Sequence, residues 1–119
     1  SPWIHLGTDH APHGERHKSA VECACGAFTP HAPAMYVQEF AARGLLSLFE
    51  PFACLRGPSF YGLKPKPGMV TFVRESWSHN DFVPVTSGDG EPSDVLRPYG
   101  FRAPGEGGEN LTWKWKMVT

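Results

Sequence analysis

The sequence predicts a mixed α/β fold in which a largely helical first half gives way to a β-rich second half. Three observations carry this expectation. Trp3-Ile4-His5-Leu6 is a short apolar-rich run closed by Gly7, the pattern of a brief buried strand. From about Ala32, apolar residues recur at helical spacing. Near the end, Leu111, Trp113, Trp115 and Met117 alternate with Thr112, Lys114 and Lys116, a period of two that marks a half-buried strand.

The elements follow in order. Thr8 to Thr29 is a long polar stretch with histidines and small residues, and a loop of that length in a compact protein is usually functional or disordered. Pro33 suits a first helical turn, and Tyr36, Val37, Phe40 and Ala41 share one helical face. Gly44 fits the C-terminal cap of that helix. Ser47-Leu48-Phe49-Glu50 has capping-box spacing and opens a second helix through about Leu55, with Pro51 in or just past its first turn. Cys54, on the apolar side of that helix, reads as a small core residue, and Gly57-Pro58 stops the helix. Lys64-Pro65-Lys66-Pro67-Gly68 is a linker or wide turn, and Met69 to Arg74 reads as a strand. Thr86 to Asn110, rich in Gly, Pro and Asp, is expected to be a surface excursion with a short strand near Tyr99. The natural division is therefore residues 1–63 and 64–119, without an internal repeat.

Bulk properties narrow the function classes. A chain of 119 residues allows one small domain with a modest core. A net charge of −1 argues against nucleic acid or an anionic membrane as a partner. The alternating Trp and Lys residues near the end invite a nucleic-acid reading, but the period of two sends tryptophans inward and lysines to water. No apolar run approaches the ~20 residues that span a bilayer, and no leader-type segment is seen. Three cysteines, Cys23, Cys25 and Cys54, form a poor disulfide framework and fit a reducing compartment. A soluble cytoplasmic protein is expected. Ser1 is followed almost at once by a strand-like segment, which fits either a cut through a larger protein or an ordinary domain edge.

Gly7-Thr8-Asp9-His10-Ala11-Pro12-His13 is the densest chemical constellation. Asp9 would sit at the C-terminal end of the first strand, which in α/β barrels is where catalytic groups gather. A carboxylate there can bind a metal and also take a proton from activated water. The same Asp could merely cap a turn, which is the commoner use of an Asp at such spacing. A different reading joins His10, His13, His17, Cys23 and Cys25 into a structural zinc site, with His13, His17, Cys23 and Cys25 as its ligands in a small stand-alone module. Against it, Cys23-Ala24-Cys25 is tighter than common zinc motifs.

Gly-Thr-Asp-His-Ala-Pro-His resembles the last barrel strand of dihydroorotases, where an Asp followed by Ser or His precedes Ala-Pro-His. Cys23-Ala24-Cys25-Gly26-Ala27-Phe28 resembles that family's Cys- and Gly-containing segment before its final barrel helix. Phe49-Glu50-Pro51-Phe52 and Gly57-Pro58-Ser59-Phe60-Tyr61-Gly62-Leu63 resemble the following helices of the single-function type, and Leu111 to Lys116 its terminal strand. The blocks come in the right order and cover essentially the whole chain.

The resemblance implies the C-terminal portion of a (β/α)8 barrel, its last strand and helices, with a C-terminal β extension. It implies a zinc-dependent amidohydrolase with two zinc ions in the complete enzyme, interconverting L-dihydroorotate and N-carbamoyl-L-aspartate in pyrimidine biosynthesis. Asp9 matches a ligand of one zinc and the group that carries the proton between attacking hydroxide and leaving nitrogen. His13 matches the histidine that holds the substrate carboxylate, and Cys25 falls where main-chain groups bind substrate. His10 stands where the family commonly has serine and is not assigned as a ligand. The family's His-x-His pair, carboxylated lysine and two further histidine ligands have no counterpart in this sequence. The implied partners are therefore the small-molecule substrate, the remainder of the barrel and, as a cover for exposed faces, further copies in a homo-oligomer. A superfamily member acting on another cyclic amide remains the third option.

Overall fold

The structure, a computed structural model, describes residues 1–21, 24–80, 82–100 and 110–118. In chain order it forms helices α1 (Glu15–Lys18) and α2 (Ala32–Ala42), a helical run with a 3-10 turn (Leu46–Leu48), a π turn (Pro51–Leu55) and α3 (Arg56–Phe60), and strands β1 (Met69–Ser78), β2 (Val83–Thr86), β3 (Pro92–Leu96) and β4 (Asn110–Val118). The chain is thus mixed α/β. Its named helices end by Phe60 and its named strands begin at Met69.

Two compact units interleave along the chain. The first comprises Ser1–Gly7, Ala32–Trp77 and Leu111–Thr119, and the second Thr8–His31 and Ser78–Asn110.

The first unit is built on α2. Ala32, Ala34 and Val37 are buried, and Tyr36, Phe40 and Ala41 are half-buried, as the helical spacing predicts. Gly44 ends the helix in the left-handed region at φ 69°, and the Leu45 N–H donates to the Phe40 carbonyl at 2.8 Å. This wrap-back closes the last turn and suits a glycine, which meets no Cβ penalty there. Phe40 packs on Phe49 and Phe52 at ring-centroid distances of 5.5 and 5.1 Å, Tyr36 on Phe52 at 5.6 Å, and Phe49 edge-on to Phe72 at 5.7 Å. These aromatics tie α2, the helical run and β1 together. β1 pairs with β4 in a two-stranded sheet. Leu111 is buried, and the Gln38 side-chain oxygen accepts from the Thr112 N–H and hydroxyl at 3.0 and 3.2 Å, which pins β4 to α2.

Four expectations for this unit need correction. Residues 3–6 are not a strand: the Leu6 N–H donates to the Phe52 carbonyl and the Arg56 guanidinium to the Ile4 carbonyl, so the helical run takes up their polar groups. A strand needs a hydrogen-bonding neighbour, and none flanks this segment among the described residues. Gly57-Pro58 does not stop the second helix, which runs on to Phe60. The π turn restarts the bonding pattern at Arg56, so Pro58 falls in a first turn, where a missing N–H is tolerated. The same wide turn changes the rotation per residue, and Cys54 emerges exposed rather than in the core. In β4, Leu111 and Trp113 turn inward while Thr112 and Lys114 face water, but Trp115 is 47% exposed. The alternation thus holds only over the first part of the strand, and the burial of Met117 lies outside the described residues.

In the second unit, β2 and β3 pair antiparallel from Val83↔Leu96 to Thr86↔Pro92. The region read as a surface excursion therefore opens with an ordered hairpin. Its turn is fixed by Ser87, whose N–H and hydroxyl donate to the Glu91 carbonyl, and by Asp89, which accepts from the Glu91 N–H at 3.0 Å. The Ser87 hydroxyl and then the Glu91 N–H hold the Asp89 carboxyl below its ordinary range. Gly90 supplies the left-handed residue, φ 85°. Among the described residues near Tyr99 there is, instead of a strand, a parallel bridge between Phe28 and Pro98, with the Tyr99 N–H donating to the Phe28 carbonyl at 2.7 Å.

Candidate functional site

The site is built on the loop from Thr8 to His31 and the residues just after β3. Asp9 occupies the left-handed region, at φ 46°, where Asp is among the few non-glycine residues tolerated. It is exposed, and its carboxylate has no hydrogen-bond or ion-pair partner among the described residues. The chain then enters a parallel bridge between His10 and Ala27, and the Ala11 N–H donates to the Ala27 carbonyl at 2.9 Å. His10 Nδ1 accepts from the Thr29 N–H at 3.1 Å, and its ring lies 5.2 Å from Phe28. That bond leaves Nε2 as the protonated nitrogen when the ring is neutral. His10 thus serves as an internal brace of the loop.

Two glycines permit the close approaches that shape this loop. A Cβ on Gly26, which sits at φ 131°, would collide with the Ala11 methyl. A Cβ on Gly14, just before α1, would collide with the Asp94 carboxylate. That carboxylate lies against the Arg16 N–H at 3.4 and 3.5 Å. The Lys18 ammonium donates to the Gly26 carbonyl at 2.7 Å and closes the loop from the other side.

These contacts frame a cavity of about 330 Å³, whose polar lining is His13, Glu15, Lys18 and Arg97. Phe28, Tyr99, Ala11 and Ala27 supply apolar wall. His13 is half-buried. Arg97 reaches Glu15 at 3.7 Å with a side chain only 23% exposed. Cys25 is exposed; its neighbours Gly26 and Ala27, not its thiol, belong to the lining. Asp9 is likewise outside the lining. The structure therefore brings His13 and the chain beside Cys25 to one cavity and leaves Asp9 as an open carboxylate on the preceding turn.

Among the described residues, no three His, Cys, Asp or Glu side chains come together as a metal site. Of the four ligands in the small-module reading, Cys23 lies outside the described residues. His17 is exposed, and its carbonyl accepts from the Ala24 N–H at 3.1 Å. No helix among the described residues is long and apolar enough to cross a membrane.

Sequence reasoning missed two features of this unit. Arg97 lies in the stretch read as a surface excursion with a short strand near Tyr99, and nothing in that reading marked it. His31 and His79, distant in sequence, stack with ring centroids 4.1 Å apart and are only 4% and 7% exposed. Burial, and then the positive charge that His79 can carry, push His31 down to about 4. His79 Nδ1 lies 2.7 Å from the Asn80 carbonyl oxygen.

No family model matches the chain. Curated relatives do. The chain is 40% identical over 116 residues to a dihydroorotase of Azoarcus sp., covering 96% of this chain and 30% of that protein. It is 39% identical over 118 residues to a dihydroorotase of Cupriavidus necator, and 38% identical over 116 residues to one of Shewanella piezotolerans, with similar coverage of this chain. The chain spans about 30% of the length of the curated relatives it matches. Among solved structures, a dihydroorotase from Saccharomyces cerevisiae in complex with 5-fluoroorotic acid matches 98% of this chain and 31% of its own, with a TM-score of 0.79 at 19% identity. A dihydroorotase from Campylobacter jejuni matches 97% of this chain and 30% of its own, with a TM-score of 0.69 at 20% identity. Over nearly its full length the chain is similar in sequence and in fold to dihydroorotases.

Proposed function

We propose that this chain is the C-terminal, Asp9- and His13-bearing part of a dihydroorotase, a zinc-dependent hydrolase that interconverts L-dihydroorotate and N-carbamoyl-L-aspartate in pyrimidine biosynthesis. The observation that carries the reading is sequence identity of 36–40% to curated dihydroorotases over at least 92% of this chain. In this reading residues 1–63 supply the last strand and helices of a (β/α)8 barrel, residues 3–6 becoming a strand only against the neighbouring barrel strands of the complete enzyme, residues 64–119 are a C-terminal β extension, and the protein is cytoplasmic.

Asp9 fits one position in a zinc site, because its carboxylate is exposed and uncommitted. The remaining ligands come from outside this chain. Zinc supplies activated water near neutral pH and polarises the carbonyl under attack. The residues of this chain do the rest. Asp9 takes the proton of the attacking water and delivers it to the ring nitrogen as the amide C–N bond breaks. His13 holds the substrate carboxylate in the cavity. Main-chain groups at Cys25, on the loop held by the Lys18–Gly26 and Ala11–Ala27 contacts, orient the ring.

The exposed apolar side chains of the first unit support the same reading. Trp3 is 76% exposed, and Ile4, Phe60, Tyr61 and Leu63 are also exposed. A surface of this kind is normally covered by a partner. The remainder of the barrel covers it in the complete enzyme, and second copies or exchanged segments cover it in the isolated chain. A barrel needs ~250 residues, so the 119-residue chain alone is inactive.

The test replaces the matching segment of the Azoarcus protein with this chain and follows hydrolysis of L-dihydroorotate. The reading expects zinc-dependent turnover by the chimera and none by the isolated chain. A folded, zinc-loaded chimera without turnover, or a zinc-dependent rate from the isolated chain, would contradict it.

A further inference from the structure

We propose that His10 is a positioning residue for this site: its ring nitrogen Nδ1 fixes the loop from Ala24 to Thr29 against the segment that carries Asp9 and His13, and so sets the affinity for a small cyclic-amide acid. The inference rests on the reading in which main-chain groups at Cys25 bind the substrate, and adds the side chain that holds them in place.

The two segments run side by side. His10 and Ala27 form a parallel bridge, and the Ala11 N–H donates to the Ala27 carbonyl at 2.9 Å. In a parallel ladder of this register the next rung would run from the Thr29 N–H to the Ala11 carbonyl. The Thr29 N–H donates instead to His10 Nδ1, at 3.1 Å. A side chain thus takes the place of a backbone rung, one residue after Asp9 and three before His13. The segments are in close contact there, because a Cβ on Gly26 would collide with the Ala11 methyl. A slip of either segment is therefore felt at Gly26 and Ala27, which line the cavity together with His13.

The His10 ring also lies 5.2 Å from that of Phe28, another wall of the cavity. His10 itself does not line the cavity, so it acts through the main chain that it holds. On the other side the Lys18 ammonium donates to the Gly26 carbonyl at 2.7 Å. Lys18 and His10 thus tie the loop at Gly26 and at Thr29, with the Ala27 carbonyl held between them.

The bond requires an acceptor at the right reach. Nδ1 stands two bonds from Cβ, as does the side-chain oxygen of asparagine, whereas leucine fills similar space without an acceptor. Main-chain groups that grip the substrate before and during the reaction contribute uniform binding, whose loss raises KM and leaves kcat in place.

The experiment compares the chimera carrying this chain with its His10→Leu and His10→Asn variants in hydrolysis of L-dihydroorotate. The inference expects His10→Leu to raise KM by about 3–10-fold, the worth of one hydrogen bond, with kcat within about twofold. His10→Asn should return KM to within about twofold of the starting value. A merely structural brace would lower the melting temperature, or the active fraction and with it kcat, and leave KM alone. In the isolated chain, nitrogen chemical shifts of the His10 ring should report the Nε2–H tautomer, and the Thr29 amide should exchange faster in His10→Leu.

An unchanged KM in His10→Leu would overturn the inference, as would an equal rise in both variants or an Nδ1–H tautomer. The two proposals fail separately. Turnover by the chimera with a KM indifferent to His10 leaves the dihydroorotase reading standing and removes this one. A folded, zinc-loaded but inert chimera removes the reading of the reaction, and the comparison passes to the dissociation constant for L-dihydroorotate. There, a loss in His10→Leu that His10→Asn restores supports the inference, and equal binding or none overturns it.

Discussion

The two compact units of this chain are held together by different physics. In the first, aromatic rings of Tyr36, Phe40, Phe49, Phe52 and Phe72 pack around α2, with Val37 and Leu111 fully inside. In the second, the contacts are mostly polar: Lys18 to the Gly26 carbonyl, His10 to the Thr29 N–H, Asp94 to the Arg16 N–H, Arg97 to Glu15, and a buried pair of histidines. The first unit works as scaffold and the second as site. A polar loop braced from several sides can present an open carboxylate and a lined cavity, which an apolar core cannot do. The consequence is that the site-bearing unit should respond to pH and to charge-removing substitutions, and the scaffold to lost volume.

The largest expected effect separates chemistry from stability. Asp9→Asn keeps a residue type that tolerates the left-handed backbone. In the chimera it should cut turnover by about 10²–10⁴-fold, the usual worth of a proton-transferring group, with a melting temperature within ~1 °C. A variant that loses both together would make Asp9 a structural turn residue.

Next in size are two stability effects of similar scale that should fall in different units. Phe40→Ala removes a half-buried ring from the aromatic cluster and should cost roughly 2–3 kcal/mol, below the range for a fully buried phenylalanine. Chemical denaturation measures it, and the loss should be the same at pH 5 and pH 7.5. His31 behaves oppositely. Its folded-state value is lowered to about 4 from 6.5, so the unfolded chain binds the proton more readily. The neutral form's stability is fully present above about pH 6.5 and is lost as the pH falls toward 4. The whole loss is at most about 3 kcal/mol. His31→Leu should flatten this acid limb. If the wild type shows no acid limb between those values, the buried histidine pair is not what the structure shows.

The smallest effects belong to exposed polar contacts. Lys18→Met removes the bond to the Gly26 carbonyl and should cost about 1 kcal/mol, seen as faster hydrogen exchange near Gly26 and Ala27. Lys114→Met, which breaks an exposed pair with Glu75 at 3.7 Å, should change stability by less than ~0.5 kcal/mol. A large effect at Lys114 would blur the contrast between the two units.

The scaffold was legible in the sequence wherever a period or a cap had room to repeat. The α2 face and its Gly44 cap came from spacing and from the conformational freedom of glycine. β1 and β4 themselves were read from two β-rich runs, though not their pairing with each other, and β1 proved longer than Met69 to Arg74. The misreadings cluster where a local signal was overridden. Pro58 stops a regular helix but not one restarted by a π turn, and the same turn carried Cys54 outward. Trp3 to Leu6 has strand composition, yet a strand depends on a neighbour that composition does not reveal. The hairpin at Val83 to Leu96 was hidden because Ser87, Asp89 and Gly90 read as loop and mask the short runs they join.

At the site, Asp9 and His13 were visible only through a short string whose meaning came from resemblance. The long polar loop was marked as functional by its length alone. His31, His79 and Arg97 were not visible, because the chemistry of each depends on residues far away in sequence. No spacing rule joins His31 to His79 or Arg97 to His13.

The most direct test of the central claim is zinc binding, measured by equilibrium dialysis with metal analysis for the isolated chain and for the chimera. If Asp9 is one ligand of a site completed outside this chain, the isolated chain should hold no stoichiometric zinc. The chimera should hold two ions, and Asp9→Asn should weaken their retention. Stoichiometric zinc on the isolated chain that disappears in Cys25→Ser or His13→Ala, and is indifferent to Asp9→Asn, would contradict the account and make the loop a self-contained metal module.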